Sequence, residues 1–397
     1  MDMRETVYVP WNIATLAAAS AICACGWASA PECEEGVAPA ERAPIAPCQP
    51  LGPEGADPPR ESGVTFAGDF RFRLECIGEQ GADRRDRFRI RARLNAHARS
   101  SDEMEIGLGL ATGSGDPVST NQTLDEGFST KDFRLDLAFF DFHPRSAQGL
   151  HVVGGKMKNP LYSPAKTELL WDSDLRPEGL VVTYGRGGGR TGLFASAGAF
   201  FVDERKDEED AYLFAAQAAV DHQFGSGVRV KAGTGYYDFT NLRGFKPVFE
   251  PSDGFGNSLD PSGNYATDFN EFEAFAEVAV SVSGVPVSLF GNWVTNAAAD
   301  SEDQGWLVGF TVGELREVGS WMLRYNYRDV EKDAVLGIFT DSDFRGGGTD
   351  ARGHEIGIDY QVWENGEAGV TLFLNDIDLT TGKHDYSRLQ LDLAFKF

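Results

Sequence analysis

The sequence predicts an all-β chain: a closed antiparallel transmembrane β-barrel of about 16 strands, with short turns at one end and long loops at the other. Three observations predict it. Apolar and polar residues alternate with period two up to the last residue. The connections between alternating segments are long, then short, in turn. The amino terminus reads as a secretory leader.

Composition sets the outer limits. The 397 residues carry 36 Lys+Arg against 61 Asp+Glu, a formal net charge of −25, which argues against a nucleic-acid partner. With 42% hydrophobic and 24% charged residues the chain is not a disordered acidic polymer. Beyond the leader, no apolar run approaches the ~18 residues of a membrane helix. The 46 glycines and 28 phenylalanines suit strands and turns.

Residues 1–30 read as a signal peptide: Arg4 supplies positive charge, Ile13 to Cys25 is apolar, and Ala28-Ser29-Ala30 is a cleavage pattern. A single membrane anchor, or a lipoprotein-like Ile22-Cys23-Ala24-Cys25, is the alternative. Residues 31–62, rich in Pro, Ala and Glu without period, read as a disordered periplasmic linker. Cys33 and Cys48 lie there, and whether they pair is open; Cys76 is left over. No cysteine spacing suits zinc. The barrel is expected over 63–397.

Within it, the segments begin near Thr65, Asp86, Met104, Asp132, Leu150, Glu178, Thr191, Tyr212, Gly227, Asn270, Val285, Gln304, Trp321, Arg352, Glu367 and Ser387. Asp86 to Ala98 is the clearest. Phe88, Ile90, Ala92 and Leu94 fall on one face, and Arg87, Arg89, Arg91 and Arg93 on the other. A helix would spread those arginines around its axis; a strand separates them cleanly. The last segment sets Leu389, Leu391, Leu393, Phe395 and Phe397 against Arg388, Gln390, Asp392 and Lys396. Odd segments are followed by residues 76–85, 113–131, 159–177, 204–211, 239–269, 297–303, 330–351 and 379–386, mostly long. Even segments are followed by 99–103, 144–149, 186–190, 224–226, 283–284, 314–320 and 363–366, all short. A soluble β-sandwich or propeller also alternates, but does not require this loop pattern.

With the apolar parity turned to lipid, the other parity describes a lumen. The first two segments place Asp69, Arg71, Arg73 and Glu75 beside Arg87, Arg89, Arg91 and Arg93, a basic wall. Like charges directly opposite one another destabilise a strand pair unless water or carboxylates intervene. The tenth segment turns Glu271, Glu273 and Glu277 inward, an acidic wall about half a ring away. The expected result is a transverse field across the pore. The acidic loops Asp203 to Asp210 and Asp341 to Asp350 read as solvated outer loops; bridging lipopolysaccharide through divalent cations is the alternative. Trp293, Trp306, Trp321, Tyr325 and Tyr327 fall on the outward parity, where interfacial aromatic girdles belong.

Residues Gly154-Gly155-Lys156-Met157-Lys158-Asn159-Pro160-Leu161-Tyr162, the stretch Glu168 to Gly179, and the aromatic-ended Leu391 to Phe397 together resemble the Putative porin family of Gram-negative outer membranes. The likeness covers residues from about 64 to 397. It implies passive passage of small hydrophilic solutes and a location in the cell outer membrane among lipid and lipopolysaccharide. It also implies recognition of Phe397 by barrel-assembly machinery, and a homotrimer. By the same analogy the segment 159–177 folds inward as a constriction loop carrying Lys166, Glu168, Asp172, Asp174 and Arg176. An anion- or phosphate-selective porin is the alternative, though phosphate specificity would need a basic ladder along the whole channel and this one runs over two strands.

Catalytic signals are thin. Gly187-Gly188-Gly189-Arg190-Thr191-Gly192 formally matches a nucleotide-binding glycine pattern, but an alternating segment follows instead of a helix. The histidines at 97, 143, 151, 222, 354 and 384 are scattered. The expectation is a channel with no enzyme activity and no cofactor or metal. A barrel lipid hydrolase using His354 or His143 with a nearby serine, or a plugged structural barrel, is the competing reading.

Overall fold

A computed structural model of the chain describes residues 63–187, 189–225 and 227–397. The expected leader, linker and Cys33–Cys48 pair lie outside the described residues. Among those described, Cys76 is a free thiol.

Sixteen long strands form one antiparallel sheet. They are β1 (Val64–Glu79), β2 (Arg85–Ser101), β3 (Met104–Thr112), β4 (Phe133–Phe142), β5 (Leu150–Lys156), β6 (Glu178–Arg186), β7 (Thr191–Asp203), β8 (Ala211–Gln223), β9 (Arg229–Phe239), β10 (Phe269–Val282), β11 (Val285–Asn296), β12 (Gln304–Gly313), β13 (Trp321–Val330), β14 (Ala351–Trp363), β15 (Gly366–Ile377) and β16 (His384–Lys396). Each expected segment coincides with one of them, its start displaced by at most 3 residues. A two-residue strand, Gln122–Thr123, lies in the loop after β3 and pairs with β2. The glycine pattern at 187–192 bridges β6 and β7, two strands, so it begins no helix.

Each strand pairs with its sequence neighbours, and β1 pairs with β16, which closes the ring. Closure is needed because hydrocarbon offers no partner to an unpaired strand edge. The seam ends on the last residue: the Gly68 amide donates to the Phe397 carbonyl at 2.8 Å, and the Phe397 amide donates back at 3.0 Å. A β-carbon on Gly68 would lie 2.5 Å from the Phe397 ring, so only glycine leaves the terminal aromatic its place. Gly155, at the end of β5, has φ +117°, and a β-carbon there would lie 2.2 Å from the Ala138 carbonyl oxygen. That accounts for the glycine pair at the entry to the following loop.

The outer surface is apolar as the period requires. Phe88, Leu94, Ile106, Leu108, Leu289 and Val308 are all exposed. Trp293, Trp306 and Trp321 are also exposed, and Trp293 and Trp306 are partners in the β11–β12 register. Phe139 and Tyr237 instead turn inward, Tyr237 fully buried.

The interior departs from a simple water column. Three long loops, 157–177, 240–268 and 331–350, supply half of an apolar cluster that lies mainly against the β8–β13 half of the ring. It joins Trp171, Leu242, Tyr265, Leu336 and Ile338 to Tyr237, Phe239, Phe269, Val294, Leu307 and Val330 of the wall. The loop 331–350 is therefore not the solvated outer loop expected from its acids: Asp341 and Asp350 are buried with it. The reason is its apolar run Ala334-Val335-Leu336-Gly337-Ile338-Phe339, which gains more from burial against the inner wall than from water. The Asp203 to Asp210 loop is mostly exposed.

The lipid-facing assignment generates a test. Leu391 stands opposite Leu74 and Val370 on the outward face. Leu391→Arg is expected to lower unfolding free energy by about 2–4 kcal/mol, as for a cation set against the bilayer midplane. Denaturant titration in phospholipid vesicles measures it, and a change under about 0.5 kcal/mol would place Leu391 away from lipid.

Candidate channel constriction

The β1–β2 register sets Arg71 opposite Arg91 and Arg73 opposite Arg89, while Asp69 faces Arg93 and Glu75 faces Arg87. Strand period turns all of these side chains inward together. The like-charge pairs are tolerated because carboxylates arrive from elsewhere. Asp69 takes Arg91 at 2.8 Å and Arg93 at 2.7 Å. Glu75 is held by Arg87 and Arg388. Asp392 of β16 binds Arg73 through two parallel bonds of 2.7 Å, the strongest geometry open to a guanidinium.

Two loops bring the remaining acids. Asp174 of the 157–177 loop lies 3.1 Å from Arg93 and 4.0 Å from Arg91. Asp343 of the 331–350 loop lies 3.0 Å from Arg73 and 2.6 Å from Arg388. Arg71 and Arg89 are left with the least. Arg71 donates to the Asn121 side-chain oxygen at 2.5 Å. Arg89 donates to the Asn121 carbonyl at 3.4 Å and approaches Glu75 only to 3.9 Å. The buried Nε of each guanidinium has no hydrogen-bond partner.

The expected constriction loop crosses the barrel. At one end Asp174 meets β2. At the other, the Tyr162 hydroxyl donates to Glu277 of β10 at 2.7 Å, and the Ala165 amide donates to the same oxygen at 3.2 Å. Lys231 sits over the Tyr162 ring at 4.2 Å. In a ring of sixteen strands β2 and β10 are opposite, so the loop is tied to both walls.

The expected site residues thus separate into distinct environments. Arg71, Arg87, Arg89, Arg91 and Arg93 are partly accessible, whereas Arg73 is 4% exposed and is sealed between Asp392 and Asp343. Glu271, Glu273 and Glu277 point inward but do not face open water; each is capped. Glu271 accepts from the Leu336 amide at 2.9 Å. Glu273 accepts from Tyr237 at 2.5 Å, Gln217 at 3.0 Å and Asn292 at 2.9 Å. In place of an open acidic wall, the structure has buried acceptors: Glu277 and Glu271 each hold a loop, and Glu273 binds side chains of β8, β9 and β11. Arg176 is tied to Asp136 at 3.3 Å and to carbonyls of its own loop, and Lys166 is exposed. Glu168 and Asp172 meet Asp341 of the other inward loop within 4.8 Å.

Sequence reasoning did not single out Asn121, Asp343 or Arg328, and placed Arg388 on the polar face of the last strand without giving it a role. Arg328 is buried and bridges Asp341 at 2.8 Å and Glu355 at 2.5 Å. The available signal was the apolar run 334–339, which no solvated loop needs.

The loop carboxyls have opposed proton affinities. Burial pushes the Asp174 carboxyl up, but Arg91, Arg93 and the Thr120 amide outweigh it and hold it at about 2. Burial likewise opposes ionisation of Asp343, yet Arg388 and Arg73 hold it far below the usual carboxylate range. For Glu168 and Asp172 burial dominates and neighbouring carboxylates add to it, so both are pushed well above their usual values.

The model of the family described as "Putative porin" matches residues 77–251 and 258–397, well over half of the chain. The chain belongs to this porin family. Among solved structures it is similar to OprB of Pseudomonas putida at high pH, with a TM-score of 0.58 and 15% identity over 85% of this chain and 94% of that one. It is also similar to OmpF of Salmonella typhi in complex with daunomycin, with a TM-score of 0.51 and 11% identity over 84% of this chain and 97% of that one. At such identities the likeness establishes the shared barrel fold. No curated protein matches the sequence. Family and fold place this porin in the outer membrane as a channel.

The opposed carboxyls predict how the porin's loop clamp responds to pH. Asp174 titrates below its ordinary 3.8, so its stabilisation is complete above 3.8 and is lost as pH falls from there to about 2. Glu168 and Asp172 titrate above their ordinary values, so their contribution is complete at low pH and is lost as pH rises through the raised values. Current noise in single channels is expected to grow on both flanks. Asp174→Asn should leave the noise high at every pH, at a cost of about 3 kcal/mol for a buried pair broken on one side. Asp172→Asn should reduce the alkaline flank, leaving the part that Glu168 contributes, and should spare the acid flank. Noise independent of pH in the unaltered protein would contradict the assignment.

Proposed function

We propose that this porin passes small hydrophilic solutes by diffusion and favours anions where the channel is narrowest. The observation that carries the preference is the shortfall of carboxylate at Arg71 and Arg89. Their neighbours Arg73, Arg87, Arg91, Arg93 and Arg388 have acids within 3.1 Å, while these two converge on Asn121. A positive field in a confined, partly desolvated passage raises local anion concentration and penalises cations. The mouth opposes it weakly, because the acidic outer loops are hydrated and screened within about 8–10 Å.

A barrel hydrolase has less support. His354 lies 3.0 Å from the Tyr325 hydroxyl and packs on Tyr327, an arrangement without a serine nucleophile. His143 meets Asp141 and His151. The lipopolysaccharide contact suits the exposed acids of 203–210. Recognition by assembly machinery suits the exposed Phe397 at the seam. A homotrimer rests on family analogy.

Planar-bilayer recording tests the proposal. Stepwise conductance is expected, with a reversal potential in a salt gradient that marks anion preference. Arg71→Gln combined with Arg89→Gln should move that potential toward cations. Arg89→Glu with Arg91→Glu should move it further. Stepwise conductance with an unmoved reversal potential would remove the selectivity claim, and no conductance at all would remove the channel.

A further inference from the structure

The hairpin of β4 and β5 carries a constellation the constriction does not use. Asp141 sits at the end of β4, His143 just beyond it, and His151 at the start of β5. Phe142 pairs with Val152, so the next pair outward along the hairpin sets His143 opposite His151. Phe142 is exposed on the lipid side; its neighbours Asp141 and His143 therefore face the lumen. The connecting segment 143–149 is one of the short turns, which puts the cluster at the mouth opposite the long loops, the periplasmic mouth of an outer-membrane barrel.

The three side chains converge. Nδ1 of His151 lies 2.9 Å from both oxygens of Asp141. Nδ1 of His143 lies 3.8 Å from Asp141 Oδ1, too far for a hydrogen bond. The two imidazoles stack at 5.4 Å with an interplanar angle of 32°. One candidate ligand atom from each residue lies within 4.8 Å of the others. Nδ1 of His143 is buried and has no hydrogen-bond partner, a state that ordinarily costs about 1–3 kcal/mol.

We propose that Asp141, His143 and His151 form a binding site for a divalent transition-metal ion of the zinc type. A tetrahedral zinc with bonds of about 2.0–2.1 Å separates its ligands by roughly 3.4 Å. The two measured separations, 2.9 and 3.8 Å, straddle that value. Two imidazoles and a carboxylate suit zinc, cobalt or nickel and suit calcium or magnesium poorly. The Nδ1 of His143, 3.8 Å from Asp141, has no hydrogen bond to give up and in the Nε2–H tautomer offers a lone pair to the ion. His151 binds once its Nδ1 proton has moved to Nε2 or left to solvent. The fourth position stays open to the lumen, for water or for a solute with a ligating atom. A second acid–imidazole pair adjoins the site: Glu105 faces Asp141 in the β3–β4 register and holds His97 at 2.6 Å. These two carboxylates give the rim a negative potential that draws a cation in.

The test uses the full chain in detergent, stripped with chelator. Titration with Zn2+ by calorimetry is expected to reveal one equivalent bound. Titration with Co2+ is expected to give the visible absorption of a tetrahedral site. His143→Gln and His151→Gln should each weaken Zn2+ binding at least tenfold, while His384→Gln, at the opposite mouth, should leave it unchanged. Heat-modifiable migration on gels reports whether each variant is folded. Absence of Zn2+ binding by the unaltered protein, or equal affinity in a folded His143→Gln, His151→Gln double variant, would overturn the proposal. Binding is read without current, so its outcome is independent of the channel reading.

Discussion

In the β1–β2 pair, Arg71 stands against Arg91 and Arg73 against Arg89 at ordinary cross-strand distance, all turned inward. Isolated, that hairpin would repel itself, and a one-residue slip of the register would turn apolar residues to the lumen and arginines to lipid. The rest of the interior follows from that constraint. Neutralising charge must come from the closing strand, which supplies Asp392, and from loops able to reach across the ring, which supply Asp174 and Asp343. The arginines thereby act as anchors for the segments that narrow the passage.

The anchoring is two-sided. The loop 157–177 is tied by ions at β2 and by neutral or singly charged hydrogen bonds at β10, through Tyr162 and Ala165. The loop 331–350 is tied by Asp343 to Arg73 and Arg388 and by its Leu336 amide to Glu271. The loops also bind each other: the Asp172 amide donates to the Phe339 carbonyl at 2.8 Å, and the Ser342 amide donates to Asp172 at 2.9 Å. An apolar cluster beneath them excludes water from one half of the ring. The arginine side of the ring keeps Arg71 and Arg89, which meet Asn121 where their neighbours meet carboxylates.

The outer wall and the inner furniture therefore obey different physics. The wall is fixed by closure and by transfer of side chains to hydrocarbon, terms that tolerate many sequences. This fits barrels that share a fold with the porin at 11–15% identity. The inner arrangement depends on particular ion pairs and caps, so it carries the individuality of this chain, including the histidine pair at the mouth away from the long loops.

Strand number, strand starts, the face each residue presents and the closing aromatic seam were legible because a period of two is a local property. Phe88 and Arg89 declare opposite sides without reference to anything distant. The inward parity of Glu271, Glu273 and Glu277 was legible for the same reason. What covers them was not, because the caps come from loops (Leu336, Tyr162, Ala165) and from neighbouring strands (Gln217, Tyr237, Asn292) separated by tens to more than a hundred residues. The same distance hid Asp343, whose acidic stretch reads as solvated until Ala334 to Phe339 is seen buried against β10 to β13. Local alternation determined the barrel; long-range pairing between loop acids and wall arginines, decided only when the ring closes, determined what its lumen is.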